Sequence, residues 1–189
     1  MTEKQQLRDE ARDRRRRFVA DLDPLAHRLA FKVLPSPLAR MIADRDIVAL
    51  YTAIDEEAPA QRLAHALIAH GKTVALACAL DRLGSMEFRR WNPDDPLIAG
   101  PFGTSHPAGT SDVLTPDVII APLLAFDAQM GRLGQGGGYY DRAFARHPDA
   151  MRIGIAWSVQ QVDHVPIDPW DLPLDAVLTE TSLIEGTER

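Results

Sequence analysis

The sequence predicts an α/β fold built on a mainly parallel sheet with helices on both faces. Two observations predict it. Short, apolar, β-prone runs alternate with helically periodic stretches, the arrangement that buries a parallel sheet between helices. A glycine-dense segment also lies between the most hydrophobic run and a helix, and in such sheets ligands bind beyond the carboxyl ends of the strands. The 189 residues fit one domain, 1–189, with an amino-terminal helical part over 1–34 and an α/β core over 46–180.

Leu7, Ala11, Phe18, Leu22, Leu25 and Leu29 recur at spacings of three, four and seven, so two helices are expected before residue 34. Asp23 is placed to cap the second and Pro24 to occupy its first position, and Pro35-Ser36-Pro37 is expected to end it. Asp46–Tyr51 reads as a buried strand. A helix follows, with Pro59 near its start and Gly71 at its end. Lys72–Leu80 is a second apolar strand, and Met86–Trp91 alternates like a half-exposed one. Residues 92–116, rich in Pro and Gly, show no periodicity and read as a long surface loop. Asp117–Pro122 is the most hydrophobic strand, Tyr139–His147 a helix, and Arg152–Trp157 and Asp175–Thr179 further strands.

Composition narrows the function classes. Hydrophobic residues make up 46% and charged residues 25%, as in ordinary globular proteins, so disorder of the whole chain is not expected. Cys78 stands alone in an apolar strand and reads as a small buried hydrophobe rather than a nucleophile. The six histidines lack zinc-ligand spacing. No apolar run approaches the ~20 residues a bilayer needs, and none follows the charged amino terminus as a signal peptide would require; a cytoplasmic, membrane-free protein is expected. A formal charge of −6 argues against general nucleic-acid affinity. Arg12 and Arg14–Arg17 form a basic run that reads as the solvated face of a helix beside Asp9, Glu10 and Asp13.

The chemistry points to Gly131–Gly138. Five of these eight residues are glycine, out of twelve in the chain. Glycine lets backbone N–H groups approach a ligand without a Cβ in the way, and the helix starting near Tyr139 aims its unpaired N–H groups at the same space. Such a segment cradles anions, although no Gly-Lys-Ser/Thr closes it as in a Walker A loop. Arg132 supplies a guanidinium for phosphate, and Asp141 a carboxylate placed either to receive Mg²⁺ or simply to favour the helix amino end.

The run Arg132-Leu133-Gly134-x-Gly136-x-Gly138-Tyr139-Tyr140-Asp141, preceded by Pro122 and Phe126-Asp127, resembles the signature of the 5-formyltetrahydrofolate cyclo-ligase family. Lys4-x-x-Leu7-Arg8, Tyr51 with Glu57, Gly71-Lys72, Met86-x-Phe88 and Pro166…Asp171-x-x-Leu174-Asp175…Leu178-Thr179-Glu180 are similar to further family elements, in the same order. Departures are Gln135 where a bulky residue is common, Gly137 where some members have Lys, and His106-Pro107 in place of Glu-Pro.

The resemblance implies a three-layer α/β/α fold of the kind shared by sugar-phosphate isomerases and CoA transferases. It implies ATP-dependent closure of 5-formyltetrahydrofolate to 5,10-methenyltetrahydrofolate with Mg²⁺, in a monomer. It places Lys4, Arg8 and Arg132 on phosphates as the catalytic cations, and Gly134, Gln135, Gly136, Gly137, Gly138, Tyr139 and Tyr140 around ATP. Glu57, Gln135 and Tyr139 face the folate, and Asp141 and Asp171 hold the metal. Read without the family, Lys4 and Arg8 fit a solvated terminal helix, Glu57 a helix cap and Asp171 a turn before Pro173. A catalytically altered nucleotide- and folate-binding regulatory module, or an RNA-associated protein using Arg14–Arg17, are the competing classes.

Overall fold

A computed structural model describes residues 2–81 and 84–186. The first helix, α1, spans Glu3–Asp21, with Thr2 accepting the Gln5 amide as its cap. Two short helices follow, α2 (Pro24–Leu29) and α3 (Ser36–Met41). Asp23 caps α2 by accepting the Leu25 and Ala26 amides, as expected. Contrary to expectation, the Pro35-Ser36-Pro37 cluster does not end α2, because that helix already stops at Leu29. It opens α3, because a proline in the first turn has no N–H that the helix would miss.

Strand β1 (Ile47–Leu50) leads through a 3-10 turn at Ala60–Leu63 into α4 (Ala64–Ala69), then β2 (Thr73–Ala79) and β3 (Met86–Arg90). Residues 92–116 are not a structureless loop. They contain a hairpin of β4 (Leu97–Ala99) and β5 (Ser105–Pro107), and an edge strand β6 (Val113–Leu114). β7 (Val118–Pro122) is followed by a small hairpin of β8 (Ala125–Phe126) and β9 (Arg132–Leu133), then α5 (Tyr139–Arg146), β10 (Met151–Ile155), β11 (Ala176–Leu178) and β12 (Leu183–Glu185).

Eight strands form the main sheet in the order β12-β11-β10-β7-β1-β2-β3-β6. The five from β11 to β2 are mutually parallel, and antiparallel strands close both sides. The parallel strands are nearly wholly buried because alternate side chains enter two different cores. Val118 and Ile120 of β7 pack with Leu38, Ile42, Leu63 and Leu67 of α3 and the α4 region. Ile119 and Ala121 pack on the other face with Ala143 and Phe144 of α5. This is the expected layering of helices about a mainly parallel sheet.

α1 reaches one face only with its last turns, where Phe18, Val19 and Leu22 pack against the core of Val118 and Ile120. Its Ala11 packs with Leu124, Ala125, Leu133 and Val165, and its Phe18 meets Trp157, so the helix lies across chain that follows β7 and β10. Among the described residues no helix is long and apolar enough to cross a membrane.

Candidate active site

The glycine segment leaves β9 and enters α5 at the carboxyl-end side of the sheet. Gly136 and Gly138 have φ of +99° and +66°, a region that side chains with a Cβ rarely adopt. Gly138 is the residue before α5, and no side chain caps the helix there. The first-turn N–H groups are therefore left for solvent or an anion.

Arg132 and Asp141 hold this segment at its two ends. Arg132 Nη2 donates to Asp141 Oδ1 at 2.5 Å, and Nη1 lies 3.4 Å from the Pro122 carbonyl. The guanidinium also faces the Tyr140 and Phe144 rings at 5.9 and 5.5 Å. Tyr139 turns the other way: its hydroxyl donates to the Asp81 carbonyl at 2.5 Å, and its ring meets Phe102 edge-on. Tyr140 is half-buried; desolvation, and after it the charge of Glu57, pushes its phenol upward in pKa.

α1 brings a row of cations to the segment. Arg8 Nε donates to the Gly134 carbonyl at 3.0 Å. Arg12 donates to Gln135 Oε1 from Nε and Nη2, at 3.2 and 3.0 Å. Lys4 sits between two carboxylates, 2.6 Å from Asp168 Oδ2 and 2.6 Å from Asp171 Oδ2. Two residues expected in different roles, Lys4 on phosphate and Asp171 on metal, are thus partners of each other here. Burial works against the charge on Asp171, but the Asp168 amide and Lys4 outweigh it and hold the carboxyl below its ordinary range. Burial likewise works against charge on Lys4, and the two aspartates outweigh it to raise the ammonium.

Glu57 lies at the other side of the site, 8% exposed. It does not cap the helix near Pro59. Its Oε2 accepts the Ile54 amide at 3.2 Å, and the Gln135 side chain and the charge of Arg15 both favour its ionised form. Burial dominates and raises it above the ordinary carboxylate range. Tyr51, expected beside Glu57, is buried with its hydroxyl donating to the Ala58 carbonyl at 2.6 Å.

The structure thus brings the Gly134–Gly138 segment, Arg132, Asp141, Arg8, Gln135 and Glu57 into one region around α1. Residues the sequence reading missed are Asp168, Arg12 and Arg15. Arg15 is 3% exposed, so the basic run is not wholly a solvated face. Asp127, quoted only as part of the signature, is 2% exposed and organises the hairpin by accepting the Gly131 and Val165 amides, each at 2.8 Å. Cys78 is buried, and burial raises its thiol to about 11, which suits packing and not nucleophilic attack.

Two hollows lie elsewhere. One of about 340 Å³ is lined by Leu22, Leu29, Phe31, Trp157 and Glu180, and one of about 570 Å³ by Glu10, Arg14, Arg17 and Val159. Neither contains the glycine segment, so the site is located by its charges and open backbone amides rather than by concavity.

Comparison with known proteins gives the family. The profile of the 5-formyltetrahydrofolate cyclo-ligase family matches residues 1–180. The 5-formyltetrahydrofolate cyclo-ligase of Haemophilus influenzae is 31% identical over 182 residues, covering 92% of this chain and 97% of that protein. That of Escherichia coli K12 is 34% identical over 145 residues, covering 73% and 80%. The NMR structure of Aquifex aeolicus 5,10-methenyltetrahydrofolate synthetase covers 100% of this chain and 95% of its own at a TM-score of 0.80 and 28% identity. The chain belongs to the 5-formyltetrahydrofolate cyclo-ligase family.

Proposed function

We propose that this chain closes 5-formyltetrahydrofolate to 5,10-methenyltetrahydrofolate with consumption of ATP and release of ADP and phosphate, at the region between α1 and the glycine segment. A formamide is a poor electrophile, and its oxygen does not leave as hydroxide. The formyl oxygen attacks the γ-phosphorus and ADP departs, giving an iminophosphate. N10 then attacks the formyl carbon and loses its proton, and phosphate leaves with the C–O bond. No protein nucleophile is needed, so positioning and charge neutralisation supply the catalysis.

The observation that carries the reading is the glycine segment itself: open amides and positive-φ glycines, with Arg132 at one end and the uncapped α5 at the other. Arg8 and Arg132 are the phosphate cations in reach of it, and Lys4 joins them by exchanging a carboxylate for a phosphate. Glu57, with Gln135 beside it, takes the folate end.

Mg²⁺ fits this donor set in one specific way. Among the described residues no three His, Cys, Asp or Glu side chains cluster as a cage. Mg²⁺ is commonly held by one or two carboxylates plus substrate phosphates and water, and Asp141, with its side chain 29% exposed in the first turn of α5, supplies one. Asp171 is the second candidate and must first be released by Lys4. Bound there, the ion would neutralise charge on the transferring phosphoryl group.

Single-turnover conversion of 5-formyltetrahydrofolate, with and without ATP and Mg²⁺, tests the proposal. Methenyl product is expected only with both. Tight ATP binding without turnover would replace it with the regulatory reading.

A further inference from the structure

Among the described residues of the site, Arg15 is the buried guanidinium with two nitrogens left without a protein hydrogen bond. It is 3% exposed, and its Nε and Nη1 are buried without a hydrogen-bond partner among the described residues. An arginine cannot shed its proton, so the usual escape of a buried base is closed to it. Leaving such a charge short of hydrogen bonds costs free energy that the attraction of nearby Glu57 returns only in part.

Its position gives the cost a purpose. Arg15 lies seven residues, two helical turns, beyond Arg8 on the same face of α1, hence about 10 Å further along the helix from the glycine segment. The next residue, Arg16, reaches Glu56, Nε to Oε1 4.0 Å, so this turn of α1 lies against the chain after β1, and the charge of Arg15 is felt there by Glu57 and Tyr51. The cation therefore stands on the Glu57 side of the site, two turns of α1 from the Arg8 that reaches the glycine segment.

We infer that Arg15 is a substrate-binding residue that donates to the C4 carbonyl oxygen of the reduced pterin, side by side with Glu57. The exposed edge of that ring presents one acceptor, the carbonyl oxygen, followed by two donors, N3–H and the 2-amino group. A guanidinium next to a carboxylate is the complement of that edge: the arginine satisfies the acceptor and Glu57 the two donors. The inference rests on the folate placement of Glu57 given above and adds a determinant that discriminates 4-oxo from 4-amino rings. A 4-amino ring turns the oxygen acceptor into a donor and N3–H into an acceptor, so it meets Arg15 with N–H against N–H and also costs Glu57 one of its two donors.

Arg15→Met tests it, with Arg15→Lys as a control that keeps the charge. Binding of 5-formyltetrahydrofolate and of its 4-amino analogue, ATP binding, and ligand-free thermal stability are measured for each protein. The expected result is about a tenfold or greater loss of 5-formyltetrahydrofolate affinity in Arg15→Met. The preference for the 4-oxo ring should fall to the part that Glu57 alone supplies, ATP affinity should stay unchanged, and the ligand-free protein should be no less stable. Arg15→Lys should recover part of the preference. If Arg15→Met melts lower and keeps both the folate affinity and the 4-oxo preference, Arg15 only supports the fold and the inference is overturned. Failure of the underlying cyclo-ligase reading looks different: the unaltered protein itself would show no turnover.

Discussion

Arg132 and Asp141 clasp the glycine segment between them, Nη2 of the arginine 2.5 Å from Oδ1 of the aspartate. Arg132 opens β9 and Asp141 lies in the first turn of α5, so the pair fixes where the intervening amides point. The two groups are unequal: the arginine side chain is 5% exposed and the aspartate 29%. The arginine depends on the pair, while the aspartate keeps a face toward solvent and ligand.

Asp141→Asn separates two roles of that aspartate. It keeps size and removes charge, leaving Arg132 buried without its counterion, so a lower melting temperature is expected. If Asp141 also receives Mg²⁺, turnover falls strongly and the Mg²⁺ concentration for half-maximal rate rises. A lower melting temperature with an unchanged Mg²⁺ requirement would confine Asp141 to holding Arg132.

Glu57→Gln should weaken 5-formyltetrahydrofolate binding and leave ATP affinity nearly untouched, because Glu57 follows β1 and the glycine segment follows β9. Stability should move the other way. Burial raises the Glu57 carboxyl, so the folded chain holds this proton to higher pH than the unfolded chain does. Stability is thus lost as pH climbs from the ordinary carboxylate range through the raised value. Glutamine removes that loss. The variant should melt higher than the parent at neutral pH, with the difference shrinking toward acid. Equal melting curves at every pH, or an equal fall in ATP affinity, would contradict the division of the site.

Much of this was legible in local pattern. β1, β2, β7, β10 and β11 are apolar runs with turn residues at their ends, and the glycine segment with Arg132 and Asp141 is a contiguous motif. What was hidden depends on tertiary pairing. β8 and β9 are two residues each, too short for any periodicity, and β4, β5 and β6 exist only because partners lie beside them. Pro37 looked like a terminator because proline both ends one helix and starts the next. Lys4 finds Asp168 across 164 positions, and Arg12 finds Gln135 across 123. Arg15 had a signal that composition masked: Lys4, Arg8, Ala11, Arg15, Phe18 and Leu22 share one helical spacing, and in a run of arginines that spacing picks out the one facing inward.

Gly138→Ala probes the cradle through the backbone. With φ at +66°, an alanine there sits in the left-handed region at a cost of about 1–2 kcal/mol. Its Cβ would stand 2.8 Å from Arg142 Nη1, whose guanidinium holds the Gly137 and Gly84 carbonyls and must shift. Chemical denaturation should show a loss of that order, and ATP affinity should fall with it. A destabilised protein that binds ATP as tightly as before would remove the segment from phosphate binding.

Lys4 poses the sharpest choice, since its ammonium bridges Asp168 and Asp171 at 2.6 Å each while the family reading needs it on phosphate. The bridge is partly exposed, with side chains at 21%, 43% and 18%, so Lys4→Met should cost at most about 1 kcal/mol of stability. Its pH dependence follows from the two shifts. The depressed Asp171 makes the contribution present above the ordinary carboxylate range and lost as pH falls through the lowered value. The raised Lys4 makes it present below the ordinary lysine value and lost as pH rises through the raised one. The parent and Lys4→Met should therefore differ most at neutral pH and converge in acid. Binding decides the role. A direct, charge-assisted contact to phosphate contributes about 1.5–3 kcal/mol, so its loss weakens ATP by roughly tenfold to a hundredfold. A Lys4 that only neutralises the two aspartates would also weaken ATP when removed, by leaving carboxylates near the triphosphate. The double variant Lys4→Met, Asp171→Asn tells these apart in ATP titrations without Mg²⁺. Neutralising Asp171 should leave ATP binding weak if Lys4 touches phosphate. Recovery of the parent affinity would instead leave Lys4 as a counterion and take it off the nucleotide.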